Sequence, residues 1–150
     1  MSDQPITGRP MEILLVEDSL LDARLTMGAL QRGCSQHRLT LVRDGEEAMA
    51  FLNQQGIFAR APHPDLILLD LFLPKKDGLE VLAEIRADFD LHDIPVVILT
   101  SSDAEEDRAR CNMLQVEHYI TKPVNLEKFL KVVKDLRSHW RSDVIVPIAK

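Results

Sequence analysis

Three uninterrupted apolar runs punctuate the chain: Ile13-Leu14-Leu15-Val16, Leu66-Ile67-Leu68-Leu69 and Val96-Val97-Ile98-Leu99. A strand with one wet face alternates apolar and polar residues. A run without alternation suits a strand covered on both faces, as in a parallel sheet layered by helices. Leu39-Thr40-Leu41-Val42 and His118-Tyr119-Ile120 are weaker strand signals. Helix-period segments lie between these runs. Residues 20–32 carry a stripe of Leu21, Leu25 and Ala29 and stop at Gly33, a suitable C-cap. Asp44 is placed to N-cap a helix reaching Leu52 and burying Ala48, Phe51 and Leu52. Gly78 to Phe89 sets Leu79, Leu82, Ile85 and Phe89 at helical spacing, all expected in the core. Asp103 is expected to cap residues 104–114. The clearest period runs over residues 125–140, through Leu126, Phe129, Leu130, Val133, Leu136 and Trp140. The order βαβαβαβαβα predicts an α/β fold, a doubly wound (βα)5 arrangement. Its five-stranded parallel sheet has helices on both faces and right-handed crossovers.

Residues 1–11 are polar and carry Pro5, Gly8 and Pro10, so they read as a flexible N-terminal lead-in. The folded unit spans residues 12–140, and 141–150 form a C-terminal tail. Loops are short except around Gly56 to Pro64.

Composition narrows the function classes. The 150 residues are 45% apolar and 28% charged, with a net charge of -6. That balance argues against nucleic acid as a partner, since binding phosphates without regard to sequence needs clustered Lys and Arg. No stretch approaches the roughly 18 apolar residues of a membrane span. The first residues lack the charged and apolar regions of a secretory signal. The expectation is a cytoplasmic protein with no membrane partner. Cys34 and Cys111 have neither CxxC nor metal spacing and read as free thiols. The five histidines are scattered and none has a ligand partner at suitable spacing.

Ligands of an open parallel sheet bind outside the carboxyl ends of its strands. Here the first strand ends in Glu17-Asp18, the third in Asp70 and the fourth in Thr100, and the fifth is followed by Lys122-Pro123. Any one of these residues is ordinary: an Asp after a strand commonly caps the next helix, and a Lys before Pro commonly sits in an exposed loop. Their joint placement brings three carboxylates, a hydroxyl and an ammonium to one edge. Two like charges about 5 Å apart repel by roughly 3 kcal/mol at an effective dielectric of 20. One lysine cannot offset three carboxylates, whereas a divalent cation can. The donors are hard oxygens, which favours Mg²⁺ over zinc. A carboxylate meeting a phosphoryl donor beside Mg²⁺ and Lys can form an acyl phosphate.

These residues resemble the response-regulator receiver family. The resemblance covers roughly residues 11–140, through LLVEDS (14–19), LILLDLFLPKKDGLEVL (66–82), PVVILTSS (95–102) and HYITKPV (118–124). It implies a flavodoxin-like receiver domain that takes a phosphoryl group from a histidine kinase onto Asp70. It implies Mg²⁺ held by Glu17, Asp18, Asp70 and the backbone carbonyl of Phe72. Thr100 is then the hydroxyl reaching toward the phosphoryl group, Lys122 the lysine of the family's pattern and Tyr119 the aromatic switch. The Lys122-Pro123 bond is cis in this family. Such a protein is a signalling switch rather than an enzyme, limited to its own phosphorylation and slow autodephosphorylation.

Within the family the chain is similar to small regulators paired with bacterial phytochrome kinases. The similarity rests on the PKKDG turn, the connection EIRADFDLHDIP and the tail around His139-Trp140 and Val144-Ile145-Val146-Pro147. Many of that group carry a polar residue, often Asn, where this chain has Phe72. A main-chain ligand tolerates any side chain, but this one borders the route of an attacking water. A phosphatase of the haloacid-dehalogenase type would need a second Asp at that same position, and Phe72 cannot transfer a proton. A degenerate, purely binding receiver is disfavoured by the complete acidic set. The tail places Val144, Ile145, Val146 and Ile148 within five residues, unlike a disordered terminus. It either folds back on its own domain or crosses a symmetric homodimer, and the resemblance points to the dimer.

Overall fold

The computed structural model describes residues 8–33, 36–136 and 144–145. Strands β1 (Arg9–Val16), β2 (His37–Val42), β3 (Leu66–Leu69), β4 (Val96–Thr100) and β5 (His118–Thr121) alternate with helices α1 (Leu20–Gly33), α2 (Gly45–Leu52), α3 (Gly78–Ala87), α4 (Glu105–Met113) and α5 (Leu126–Asp135). The five strands pair in parallel in the order β2-β1-β3-β4-β5. This is the doubly wound sheet that the apolar runs predict.

Adjacent strand residues feed opposite cores, because successive side chains leave a strand on opposite faces. Leu14, Val16, Ile67, Leu69, Val96 and Ile98 pack with α2 and α3. Ile13, Leu15, Leu66, Leu68, Val97 and Leu99 pack with residues of α1 and α5. Neither face is left for water, which is why the strand signals are runs rather than alternations. Asp44 caps α2 as its position predicts, its carboxylate accepting the Glu47 amide at 2.7 Å. Asp77 and Asn125 do the same for α3 and α5.

Several expectations are corrected. Strand β1 begins at Arg9, inside the segment read as a lead-in, and Met11 is fully buried. The α1 stripe is rotated: Leu21 and Leu25 are 68% and 53% exposed, while Ala23, Thr26, Ala29 and Leu30 face the sheet. Leucines occur on both sides of this helix, so spacing alone offers two stripes. Phe89 is 88% exposed. Helix α3 ends at Ala87 and its C-cap Asp88 turns to extended backbone, so Phe89 no longer follows the helical wheel. Asp103 does not cap α4. The N-cap is Ala104, whose amide is taken by the Ser102 hydroxyl at 3.3 Å.

A short sixth strand, β6 (Val144–Ile145), pairs in parallel with Arg9 and Pro10 of the same chain. The position of Trp140, the end of the 125–140 helix beyond Leu136, Cys34 and the rest of the tail lie outside the described residues. Cys111 is a buried free thiol; burial pushes it up to about 11, with Asp107 adding to the effect. No helix among the described residues is long and apolar enough to cross a membrane.

Candidate functional site

The carboxyl edge of the sheet collects the residues expected there. Glu17 continues β1, its amide bonded to the Val42 carbonyl at 3.0 Å. Asp70 continues β3, its amide on the Val16 carbonyl at 3.1 Å. Thr100 closes β4 and is fully buried. Lys122 follows β5, and its amide is held by the Thr100 carbonyl at 2.8 Å. The Lys122-Pro123 bond is cis. Backbone ladders thus fix each functional residue at the point where its strand stops.

The Lys122 ammonium is the centre of this edge. It lies 2.5 Å from Glu17 Oε1, 2.8 Å from Asp70 Oδ2 and 2.9 Å from Asp22 Oδ2. Burial disfavours its charge, but the bonds from Asp70, Glu17 and Asp22 outweigh burial and hold it above the ordinary lysine range. Glu17 is pushed up from the ordinary carboxyl range, first by burial and then by the Asp70 charge. Lys122 and the Ser19 amide oppose that rise. The other Asp70 oxygen accepts the Phe72 amide at 3.2 Å.

Asp22 was not among the residues singled out from the sequence. It sits in the first turn of α1, four residues after Asp18, and that spacing after an acidic loop is the signal that could have found it. Asp18 does not join the cluster around Lys122. Its carboxylate is exposed and stands 3.9 Å from Arg43, whose guanidinium also grips the Asp18 carbonyl at 2.7 and 3.2 Å. Arg43 is a second residue the sequence reading missed.

Among the described residues, no three acidic, His or Cys side chains stand as a ready metal cage. The expected set of Glu17, Asp18 and Asp70 is interrupted by Lys122 between Glu17 and Asp70 and by Arg43 beside Asp18. The donor chemistry nevertheless fits a hard divalent cation. Glu17, Asp18, Asp22 and Asp70 bring four carboxylates against the two cations Lys122 and Arg43, leaving a surplus of two negative charges. Oxygen donors in electronegative surroundings are what such an ion selects.

The remaining predicted residues, Thr100 and Tyr119, meet at Ser102. Thr100 Oγ1 accepts the Ser102 amide at 3.4 Å. The Tyr119 hydroxyl donates to the Ser102 carbonyl at 2.8 Å, and the Arg108 guanidinium lies 4.3 Å over its ring. Ser102 therefore touches both expected switch residues. The Phe72 ring is 59% exposed. Gly78 lets α3 press against the strand end: a Cβ there would meet the Asp70 carbonyl at 2.3 Å.

The profile of the response regulator receiver domain matches residues 13–134. The chain is 49% identical to the response regulator Rcp1 of Synechocystis sp. over 149 residues, covering 99% of this chain and all of that one. It is 38% identical over 131 residues to a probable methanogenesis regulatory protein, FilR2, of Methanothrix harundinacea, covering 87% and 84%. Among solved structures, the Mn²⁺-bound form of Rcp1 superposes with a TM-score of 0.75 at 50% identity, covering 92% of this chain and 99% of that one. The phosphorylated cyanobacterial phytochrome response regulator RcpA gives 0.75 at 48% identity, with coverage of 92% and 99%. The bacteriophytochrome response regulator RtBRR gives 0.77 at 42% identity, covering 88% and 81%.

Proposed function

The chain belongs to the response regulator receiver domain family of two-component signalling, and on that premise we propose that Asp70 is its phosphoacceptor and Lys122 and Thr100 its catalytic partners. The observation that carries this reading is the Lys122 ammonium bound to Asp70 Oδ2 within a surplus of carboxylates. An Asp70 carboxylate oxygen attacks the phosphorus of a phosphohistidine. The new P–O bond forms as the P–N bond breaks, and the imidazole leaves. Lys122, kept cationic by its three acidic partners, stabilises the charge on the transferring group. The Thr100 hydroxyl bonds the arriving phosphoryl oxygens and gives up its weak bond with Ser102.

Glu17, Asp18 and Asp70, with the Phe72 carbonyl, would hold Mg²⁺, and the Mn²⁺-bound relative supports a divalent site of this kind. Mg²⁺ bound there supplies positive charge for the phosphoryl oxygens. The donor is a histidine kinase, and the phytochrome regulators among the relatives favour a bacterial phytochrome kinase. The test uses a small donor. With acetyl phosphate and Mg²⁺, the protein is expected to gain one phosphoryl unit by intact mass, and chelation by EDTA to suppress the gain. Modification that is indifferent to EDTA would exclude the metal from the reaction.

The half-life of the product is set in part by Phe72. A ring beside the acyl phosphate offers an attacking water no hydrogen bond. Phe72→Asn is therefore expected to lose its phosphoryl group about three- to tenfold faster, a difference on the order of 1 kcal/mol in the barrier. Decay at the parent rate or slower would remove Phe72 from the account.

The same reading includes a homodimer joined through the last strand and helix and tied by the tail. Val144–Ile145 pairs in parallel with Arg9–Pro10 at the start of β1, which supports a tail able to add a strand to a sheet, though not at the β5 edge. That pairing within one chain is the fold-back arrangement; the same segments can pair between two copies, and a two-fold interface is the commonest oligomer. Phosphorylation acts on this face through Thr100 and Tyr119 by shifting an existing equilibrium. Light scattering on the full chain is expected to give the mass of a dimer, and on a chain ending at Arg141 that of a monomer. A monomeric full chain, with and without an acyl-phosphate mimic, would exclude the dimer.

A further inference from the structure

Beyond Asp70, the β3–α3 connection and the start of α4 enclose an open groove of about 420 Å³. Its apolar surface comes from Phe72, Leu73, Pro74 and Leu79. Phe72 is the most conspicuous of these, since a large ring beside an acidic cluster packs against no core. Three carboxylates, Asp18, Asp77 and Asp107, stand around this surface, and no basic side chain among the described residues lines it. Two of the three are fixed in place. Asp77 accepts the Glu80 amide at 2.9 Å, and Asp107 accepts the Ser102 hydroxyl at 2.5 Å. Each uses one oxygen in that bond, and the other has no hydrogen bond among the described residues.

An apolar floor ringed by held carboxylates selects for two properties together, a positive charge and an apolar body. We propose that this groove docks a segment of a partner protein that presents a cationic side chain beside an aliphatic or aromatic one. A guanidinium suits the carboxylates because its fork can engage them while its stem lies on the apolar floor. A second copy of this chain is a poor occupant, since its net charge of -6 brings like charge to an acidic rim. The groove includes Asp18, the residue after Glu17 at the end of β1, so an occupant sits beside the phosphoacceptor edge. The exposed ring of Phe72 then has a purpose in addition to its effect on water: it is the apolar contact of a docking site.

The test needs neither metal nor phosphoryl donor, so it stands apart from the assignment of Asp70. The probe is a fluorescein-labelled amphipathic helical peptide of Leu, Ala and Arg, with a second peptide carrying Gln for Arg, both followed by anisotropy in EDTA. The Arg peptide is expected to bind and the Gln peptide not to. Asp77→Asn combined with Asp107→Asn is expected to weaken binding about tenfold, and Phe72→Ser by a similar factor. Asn at position 77 still caps α3, and position 72 is exposed, so these variants keep the fold. The control is Asp93→Asn with Glu127→Gln, which removes the same charge from exposed sites away from the groove; it is expected to change affinity by less than about twofold. Absence of binding, equal binding of the Gln peptide, or equal weakening in the control would overturn the proposal. Labelled protein binding unlabelled protein through the same residues would also overturn it, in favour of a second copy.

Discussion

Asp70→Asn protein treated with acetyl phosphate and Mg²⁺ is expected to show the mass of the unmodified chain. The amide is nearly isosteric with the carboxylate but has no anionic oxygen to attack phosphorus. The neighbouring acids are poor substitutes. Glu17 is tied to Lys122 and the Ser19 amide, and Asp22 is tied to Lys122. The fold should survive, because Lys122 retains two of its three carboxylates and Glu17 is relieved of repulsion from Asp70. Glu17 should then titrate lower than in the parent. Circular dichroism would verify the fold beside the mass measurement, and modification of the Asn variant to the parent's extent would show that the acceptor lies elsewhere.

Arg86→Ala is expected to cost about 3–5 kcal/mol of stability, read as a lower denaturant midpoint. Arg86 lies in the last turn of α3 and is only 12% exposed. All five N–H groups of its guanidinium find acceptors. Nε bonds the Leu114 carbonyl, Nη1 the carbonyls of His92 and Ile94, and Nη2 the Gln115 carbonyl and Glu117, at 2.9 to 3.1 Å. Glu117 in turn accepts the Val96 amide at 2.7 Å. One side chain thus ties the end of α3 to the start of β4, the end of α4 and the start of β5. Its removal strands a half-buried carboxylate and several carbonyls. Lysine is a weak replacement, having three donors and no planar fork, so Arg86→Lys is expected to recover less than half of the loss. A midpoint within error of the parent in Arg86→Ala would mean that water replaces the whole network at no cost. For a domain whose total stability is on the order of 5–15 kcal/mol, the expected change is large enough to measure by urea titration.

That network marks the limit of what the sequence makes legible. An arginine in a last helical turn reads as a partner of the helix dipole, and only the tertiary arrangement brings carbonyls from two loops around it. Asp22 and Arg43 escaped notice for the same reason: their importance comes from reach across loops, not from position in a motif. The elements read most directly were those whose apolar residues allow one packing solution. The runs in β1, β3 and β4 have nowhere to go but a covered sheet, and Phe129, Val133 and Leu136 in α5 form one stripe, as expected. In α1, by contrast, Leu20, Leu21 and Leu25 compete with Ala23 and Leu30 for the core, and Ala23 and Leu30 take it. The strand-end residues were legible because a parallel sheet aligns all its carboxyl ends, whatever the loops do.

The two glycines at the starts of α2 and α3 make that edge mechanically lopsided. A Cβ on Gly45 would lie 1.8 Å from the Lys76 carbonyl, and one on Gly78 would lie 2.3 Å from that of Asp70. Backbone rests directly on backbone there, with no side chain between to flex. The bank opposite is built differently: α4 has no side-chain cap on its own N-cap residue, and Cys111 is its one buried residue. Toward α2 and α3, Asp70 thus has backbone packed on backbone, whereas α4 is seated by a single buried side chain.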